Sequence, residues 1–148
     1  MSYVVHYVSL LSKSQDGRFE TRICVVQSPS RYEFRYGLSP TGDRWVDIRT
    51  FDDGRPMARG TRLSSTEFEN IYESMRKNVE YIDESEKRKV TLAFCPPSKS
   101  GNTNYKWMIR VEKFNTKGVY RRYMFLKEEE EKRIAEIYQD VLAAAKNC

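Results

Sequence analysis

Two stretches of this chain, offset by 63 residues, carry the same succession of patterns: alternating strand, loop, strand, then a helical stripe. Val46 and Ile48 correspond to Ile109 and Val111, Phe51 to Phe114, Arg59 to Arg122, and Leu63 to Leu126. Ile71, Met75 and Val79 correspond to Ile134, Tyr138 and Leu142, with no gap from about 45 to 82. Agreement of strand face, loop length and helix stripe marks an internal repeat. Each unit of half of 148 residues is too small to stand comfortably alone. The expected class is therefore α+β: two antiparallel sheet-plus-C-terminal-helix repeats, ββββα-like, packed as an intramolecular pseudo-dimer within one compact domain.

The strands show as period-two runs. Residues 18–26 set Phe19, Thr21, Ile23 and Val25 against Arg18, Glu20 and Arg22. Residues 31–38 set Tyr32, Phe34, Tyr36 and Leu38 against Arg31, Glu33 and Arg35, and residues 44–51 set Val46 and Ile48 against Trp45, Asp47, Arg49 and Phe51. Asp16-Gly17, Ser28-Pro29-Ser30, Ser39-Pro40-Thr41-Gly42 and Asp53-Gly54 punctuate them as turns. At Ser64 a capping box with Glu67 opens a helix whose stripe is Phe68, Ile71, Tyr72, Met75, Val79 and Ile82. Residues 83–89 read as a polar linker, which divides the chain into repeat one (1–82) and repeat two (90–148). Strands resume over 90–94, 105–114 and 119–126, with an irregular loop at 96–104. The last helix, about 127–146, opens on the acidic run from Glu128 to Glu131, favoured by the helix dipole. This count places five strands before the first helix and three before the second. Two equal sheets then require residues 2–11 to cross into the second sheet.

Catalytic classes are poorly represented. There is one histidine, His6, in a run that reads as strand, and the three cysteines, Cys24, Cys95 and Cys148, are scattered. No CxxC, HExxH, GxSxG or P-loop spacing occurs, so neither an enzyme, nor a metal, nor a cofactor is expected. Scattered cysteines suit a reducing, intracellular setting. No run approaches the roughly 20 apolar residues of a membrane span. The first residues lack the basic start of a secretory signal, so neither a membrane partner nor export is expected.

The net charge of +5 is segregated. Residues 1–63 hold ten Lys and Arg against seven Asp and Glu, residues 64–88 four against seven, residues 89–126 eight against one, and residues 127–148 four against six. Strand regions are basic and helix regions acidic. Outward strand faces interleave cations with rings: Trp45, Arg49 and Phe51 in one repeat, Met108, Arg110 and Phe114 in the other. Neighbouring segments add Arg35, Arg55, Arg59 and Arg62, then Lys113, Lys117, Tyr120, Arg121 and Arg122. Cations neutralise phosphates while flat rings stack on unpaired bases, each worth about 1–3 kcal/mol. The expected function is non-catalytic binding of a single-stranded nucleic acid on the sheets. On this reading Arg49→Ala with Arg110→Ala weakens binding without altering thermal unfolding. Trp107, sharing a side with Ile109 and Val111, is expected in the core.

Residues 32–75 resemble the single-stranded-DNA-binding domain of the positive cofactor four family of transcriptional coactivators. Val46-Asp47-Ile48-Arg49-Thr50-Phe51 is similar to that family's V-D-I-R-E-Y strand. Arg55-Pro56-Met57-Ala58-Arg59-Gly60-Thr61-Arg62-Leu63-Ser64 is similar to its K-P-G-R-K-G-I-S-L stretch, and Glu67-Phe68 stands at its helix start. The resemblance implies a curved sheet backed by a helix, pairing through helices, and binding of unpaired or melted DNA. It matches Arg49, Arg55 and Arg59 to basic positions and Phe51 to an aromatic one. It also implies a nuclear location and a role beside the transcription machinery. Met57 and Ala58 depart from the pattern, and the family's serine- and lysine-rich tail is absent. The tandem layout is more similar to the related Pur family, whose paired repeats bind purine-rich single strands. RNA binding therefore stays open, as does a protein-interaction module acting through helices or a sheet edge. Exposed edge strands would also let two chains pair as a homodimer.

Overall fold

The computed structural model describes residues 4–28, 43–96 and 104–147. Their order is β1 (Val4–Lys13), β2 (Phe19–Ser28), β3 (Asp43–Asp52), β4 (Arg55–Leu63), α1 (Ser65–Lys77), β5 (Tyr81–Glu84), β6 (Arg88–Phe94), β7 (Tyr105–Asn115), β8 (Gly118–Lys127) and α2 (Glu128–Lys146). Two antiparallel four-stranded sheets result, β1-β2-β3-β4 and β5-β6-β7-β8, each followed in sequence by a helix.

Two sequence-based expectations are corrected. The N-terminal strand does not cross over: Val8 lies opposite Cys24 and Leu10 opposite Arg22, so β1 belongs to the first sheet. The second sheet draws its outer strand from residues read as helix end and linker, with Ile82 opposite Thr91 and Glu84 opposite Lys89. The first helix stops at Lys77 because Asn78 turns left-handed (φ 57°, ψ 47°), its N–H donating to Met75 O at 3.0 Å. Val79 and Ile82 are consequently exposed, at 46% and 61%. The strand expected over 31–38, and Arg35 with it, lies outside the described residues.

One side of each sheet is dry. Ile23, Val25, Val46, Ile48 and Leu63 in the first sheet, and Val90, Leu92, Trp107, Ile109 and Leu126 in the second, are buried against the helices. Each such side chain contributes about 1.5–3 kcal/mol by leaving water. Phe68, Ile71 and Met75 of α1 and Ile134, Ile137, Tyr138 and Val141 of α2 complete the core. The helices meet through Tyr72 and Tyr138, stacked with centroids 3.7 Å apart.

Both helices reach across to the other sheet. Ser64 caps α1 by accepting from Glu67 N–H, while Glu67 accepts from Ser64 N–H. The same Glu67 carboxylate takes two bonds of 2.8 Å from Arg88 of β6. In α2, Glu130 accepts from Lys127 N–H at 2.7 Å and from Ser12 Oγ of β1 at 2.8 Å. Arg133 of α2 donates to Leu10 O, and Arg44 of β3 donates to Ala144 O. No described helix is long and apolar enough to cross a membrane.

Candidate nucleic-acid interface

On the side of the first sheet away from the helices, β3 presents Trp45, Asp47, Arg49 and Phe51 in alternation. Cross-strand pairing sets Asp47 beside Cys24 and Arg62, and Arg49 beside Arg22 and Gly60. The equivalent row on β7 is Met108, Arg110, Glu112 and Phe114. The face assignments read from the alternation therefore hold. What the alternation did not show is that each row is organised around a buried carboxylate.

Asp47 is 3% exposed. Arg49 grips it with Nε and Nη2, both at 3.0 Å, and Arg62 Nε approaches at 3.3 Å. Arg49 Nη1 also donates to Met57 O at 2.7 Å, so its guanidinium lies across β4. Gly60 makes that crossing possible, because a Cβ there would stand 2.8 Å from Ile48 O and 3.0 Å from Arg49 Cζ. In the second sheet, Glu112 is 7% exposed and pairs with Arg110 and Arg121, each Nε at 3.0 Å. The Arg110 contact is an ion pair without hydrogen-bond alignment. Arg49, Arg110 and Arg121 thus have intramolecular partners. Asp47, Glu112 and Gly60 were missed as organising residues. Glu112 left one signal, being the single acid in an otherwise basic run over 89–126.

The rings are partly covered as well. Trp45 is half-buried with the Arg88 guanidinium 5.4 Å from its centroid, and Phe51 lies 4.4 Å from Arg22 Cζ. Phe114 is half-buried. At the tips of the hairpins, Arg55 and Lys117 are exposed and form no salt bridge among the described residues. Arg55 follows the Asp53-Gly54 turn, whose φ values of 49° and 83° call for these residue types.

Where β4 meets β8, Arg59 Cζ lies 5.4 Å from the Phe125 ring. Beside this seam a cleft of about 660 Å³ brings Arg49 and Arg62 of the first sheet to Lys113, Tyr120 and Arg122 of the second, with Phe51 in its wall. Lys113 and Arg122 form no salt bridge among the described residues. Arg122 instead covers the Tyr120 ring at 4.1 Å and donates to its hydroxyl. Burial pushes the Lys113 ammonium below its ordinary value of 10.5, and Arg88, Arg62 and Arg122 push it further. The three arginine contributions, secondary to burial, reflect the cations gathered around it.

A second cleft, of about 380 Å³, lies on the other side of the seam and includes Lys13, Arg59 and Lys127 with Glu20 and Glu130. Among the described residues no cluster of His, Cys, Asp and Glu could hold a metal ion. No protein-family model matches the chain, and no curated protein is similar enough to match it.

Proposed function

We propose that this chain binds single-stranded nucleic acid, DNA in the first instance, without catalysis. Its two sheet-plus-helix halves act as an intramolecular pseudo-dimer. The observation that carries this reading is the seam between β4 and β8. There Lys113 and Arg122 form no salt bridge among the described residues and line clefts that also contain Phe51, Tyr120, Tyr123 and Phe125. Unpaired cations beside accessible rings are what a flexible strand requires. The first-sheet row from Trp45 to Phe51 faces away from the acidic helices, whereas Lys113, Tyr120 and Arg122 lie on the helix-facing side of the second sheet. A transcription-linked role in the nucleus follows from the resemblance of residues 32–75 to the positive cofactor four family.

A labelled single-stranded DNA titrated at several salt concentrations tests the reading. With about six phosphates neutralised, log affinity should fall against log salt with a slope near −4. Competition by matched RNA and by duplex DNA at one salt concentration ranks the three ligands. A salt-independent affinity, or equal competition by duplex, would count against it.

The outer strand β1 favours a second reading, a protein-binding edge. Its side away from the helices exposes Val5, Val8 and Leu10 at 51%, 53% and 38%. The other outer strand, β5, is short and carries Asp83 and Glu84, which discourage pairing. Substituting Val8→Lys should abolish such an association and leave strand binding intact.

A further inference from the structure

We propose that the larger cleft seats one nucleotide of the bound strand, its phosphate between Lys113 and Arg122 and its base against Met57, Pro56 and Tyr120. This rests on the nucleic-acid reading and specifies where in the seam the strand is fixed.

Charge inventory is the first argument. The cleft contains Arg49, Arg62, Lys113 and Arg122 against a single acid, Asp47. Asp47 is already held by Arg49 and Arg62 from its own sheet. The uncompensated charge is therefore concentrated on Lys113 and Arg122, which enter from β7 and β8. A phosphate there would face uncompensated cations from two neighbouring strands of the second sheet, and it would offset the repulsion among Lys113, Arg62 and Arg122.

Shape and chemistry of the wall give the second argument. The volume of about 660 Å³ lies within the range of small-molecule pockets. Met57 is 36% exposed and Tyr120 51%, and Pro56 adjoins Met57 on β4. An adaptable thioether and a flat ring make a surface on which any base can rest.

The third argument is the contrast with the other cleft. At about 380 Å³ it is smaller, and its three cations face Glu20 and Glu130. Glu20 is held by Arg22 at 2.6 Å, and Glu130 by Ser12 and the start of α2. A phosphate entering there would meet two carboxylates. Of these two clefts the larger is therefore the seat, and one strand should bind per chain.

The test compares the wild-type full chain with Lys113→Gln/Arg122→Gln, with the charge-conserving Arg122→Lys, and with Lys127→Gln in the smaller cleft. Binding is read by anisotropy of a short labelled single strand and by calorimetry with deoxyadenosine monophosphate, deoxyadenosine and inorganic phosphate. We expect one strand per chain, displaced by the mononucleotide more readily than by the nucleoside or by phosphate. The double variant should bind at least about tenfold more weakly, with a salt slope shallower by about 1.4. Arg122→Lys should retain most of the affinity, which separates loss of charge from loss of fold, and Lys127→Gln should behave as wild type. Equal strand binding by wild type and a folded double variant, or two strands per chain, would overturn the seat and leave the nucleic-acid reading standing. Failure of wild type to bind any strand, with the mononucleotide still bound, would overturn that reading and leave a small-ligand site. Binding of neither would remove both.

Discussion

Asp47 and Arg49 face each other two residues apart on β3, carboxylate and guanidinium joined by two bonds of 3.0 Å. The pair is nearly dry, with side chains 5% and 16% exposed. Removing Arg49 would leave a buried carboxylate with Arg62 at 3.3 Å and would free the Met57 carbonyl. Breaking one side of such a pair costs about 1–3 kcal/mol, and more where nothing replaces it. Arg49→Ala should therefore lower the urea unfolding midpoint, contrary to the sequence-based expectation of unchanged unfolding. A double-mutant cycle with Asp47→Asn should return a coupling of about 0.5–3 kcal/mol. Wild-type unfolding of Arg49→Ala would mean that the pair is idle and Arg49 available for a ligand.

Glu67 links capping, packing and pH. Burial pushes its carboxyl up, but the hydrogen bonds from Arg88 and from Ser64 N–H outweigh this, and the net direction is below the ordinary 4.5. A carboxyl depressed in the folded state contributes stability that is present above its unfolded value. That contribution disappears as pH falls through the lower folded value. The urea midpoint should hold from pH 7 down to about 5 and then decline. Glu67→Gln should flatten that acid limb while lowering stability at pH 7, since Arg88 then loses its charged partner. An acid limb of unchanged depth in Glu67→Gln would assign the titration to other carboxylates.

The elements readable from sequence are those with one wet face. Phe19 to Val25 alternate because β2 has the core on one side only, and Ser64 with Glu67 announces α1 directly. The fourth strand of the second sheet was hidden by coincidence. Val79 and Ile82 fall four and seven residues after Met75, at helical spacing, although Asn78 turns the chain out of the helix between them. Asn78 was the available signal, a residue that tolerates the left-handed conformation. The two sheet faces were legible at Trp45, Arg49 and Phe51, but the burial of Asp47 among them was not. The positive cleft was least legible. Lys113 and Arg122 share the side of the buried Val111, and their meeting with Arg62 depends on how one sheet lands on the other. No strand's own periodicity carries that information.

Cys24 gives a chemical probe of the same face. It is 4% exposed, and burial with the Asp47 carboxylate beside it pushes the thiol up to about 12. Only the thiolate is an effective nucleophile, so at pH 8 the folded chain should protect Cys24 from an aromatic disulfide reagent. Cys95 is half-buried and so more accessible than Cys24, and it should react before it. Peptide mapping after brief labelling distinguishes the two. Denaturant should bring Cys24 to the rate of an open thiol. Arg49→Ala, by loosening Asp47, should raise its labelling in the native state.

The contacts that bridge the two sheets predict how the chain unfolds. Glu67 of α1 is bound to Arg88 of β6, Glu130 of α2 to Ser12 of β1, and Tyr72 is stacked on Tyr138. Neither half can open without stripping buried partners from the other. Unfolding should therefore be one transition, with Trp45 and Trp107 fluorescence and far-UV circular dichroism coincident. Tyr138 is 5% exposed and touches both Tyr72 and Phe68, so Tyr138→Ala should cost about 3–5 kcal/mol. The decisive feature is where that loss shows. Although the substitution lies in α2, it should shift the transition of β1–β4 by the same amount as that of β5–β8. Separate midpoints for the two tryptophans, or a shift confined to one of them, would mean that the halves fold independently and that the pairing between them is incidental.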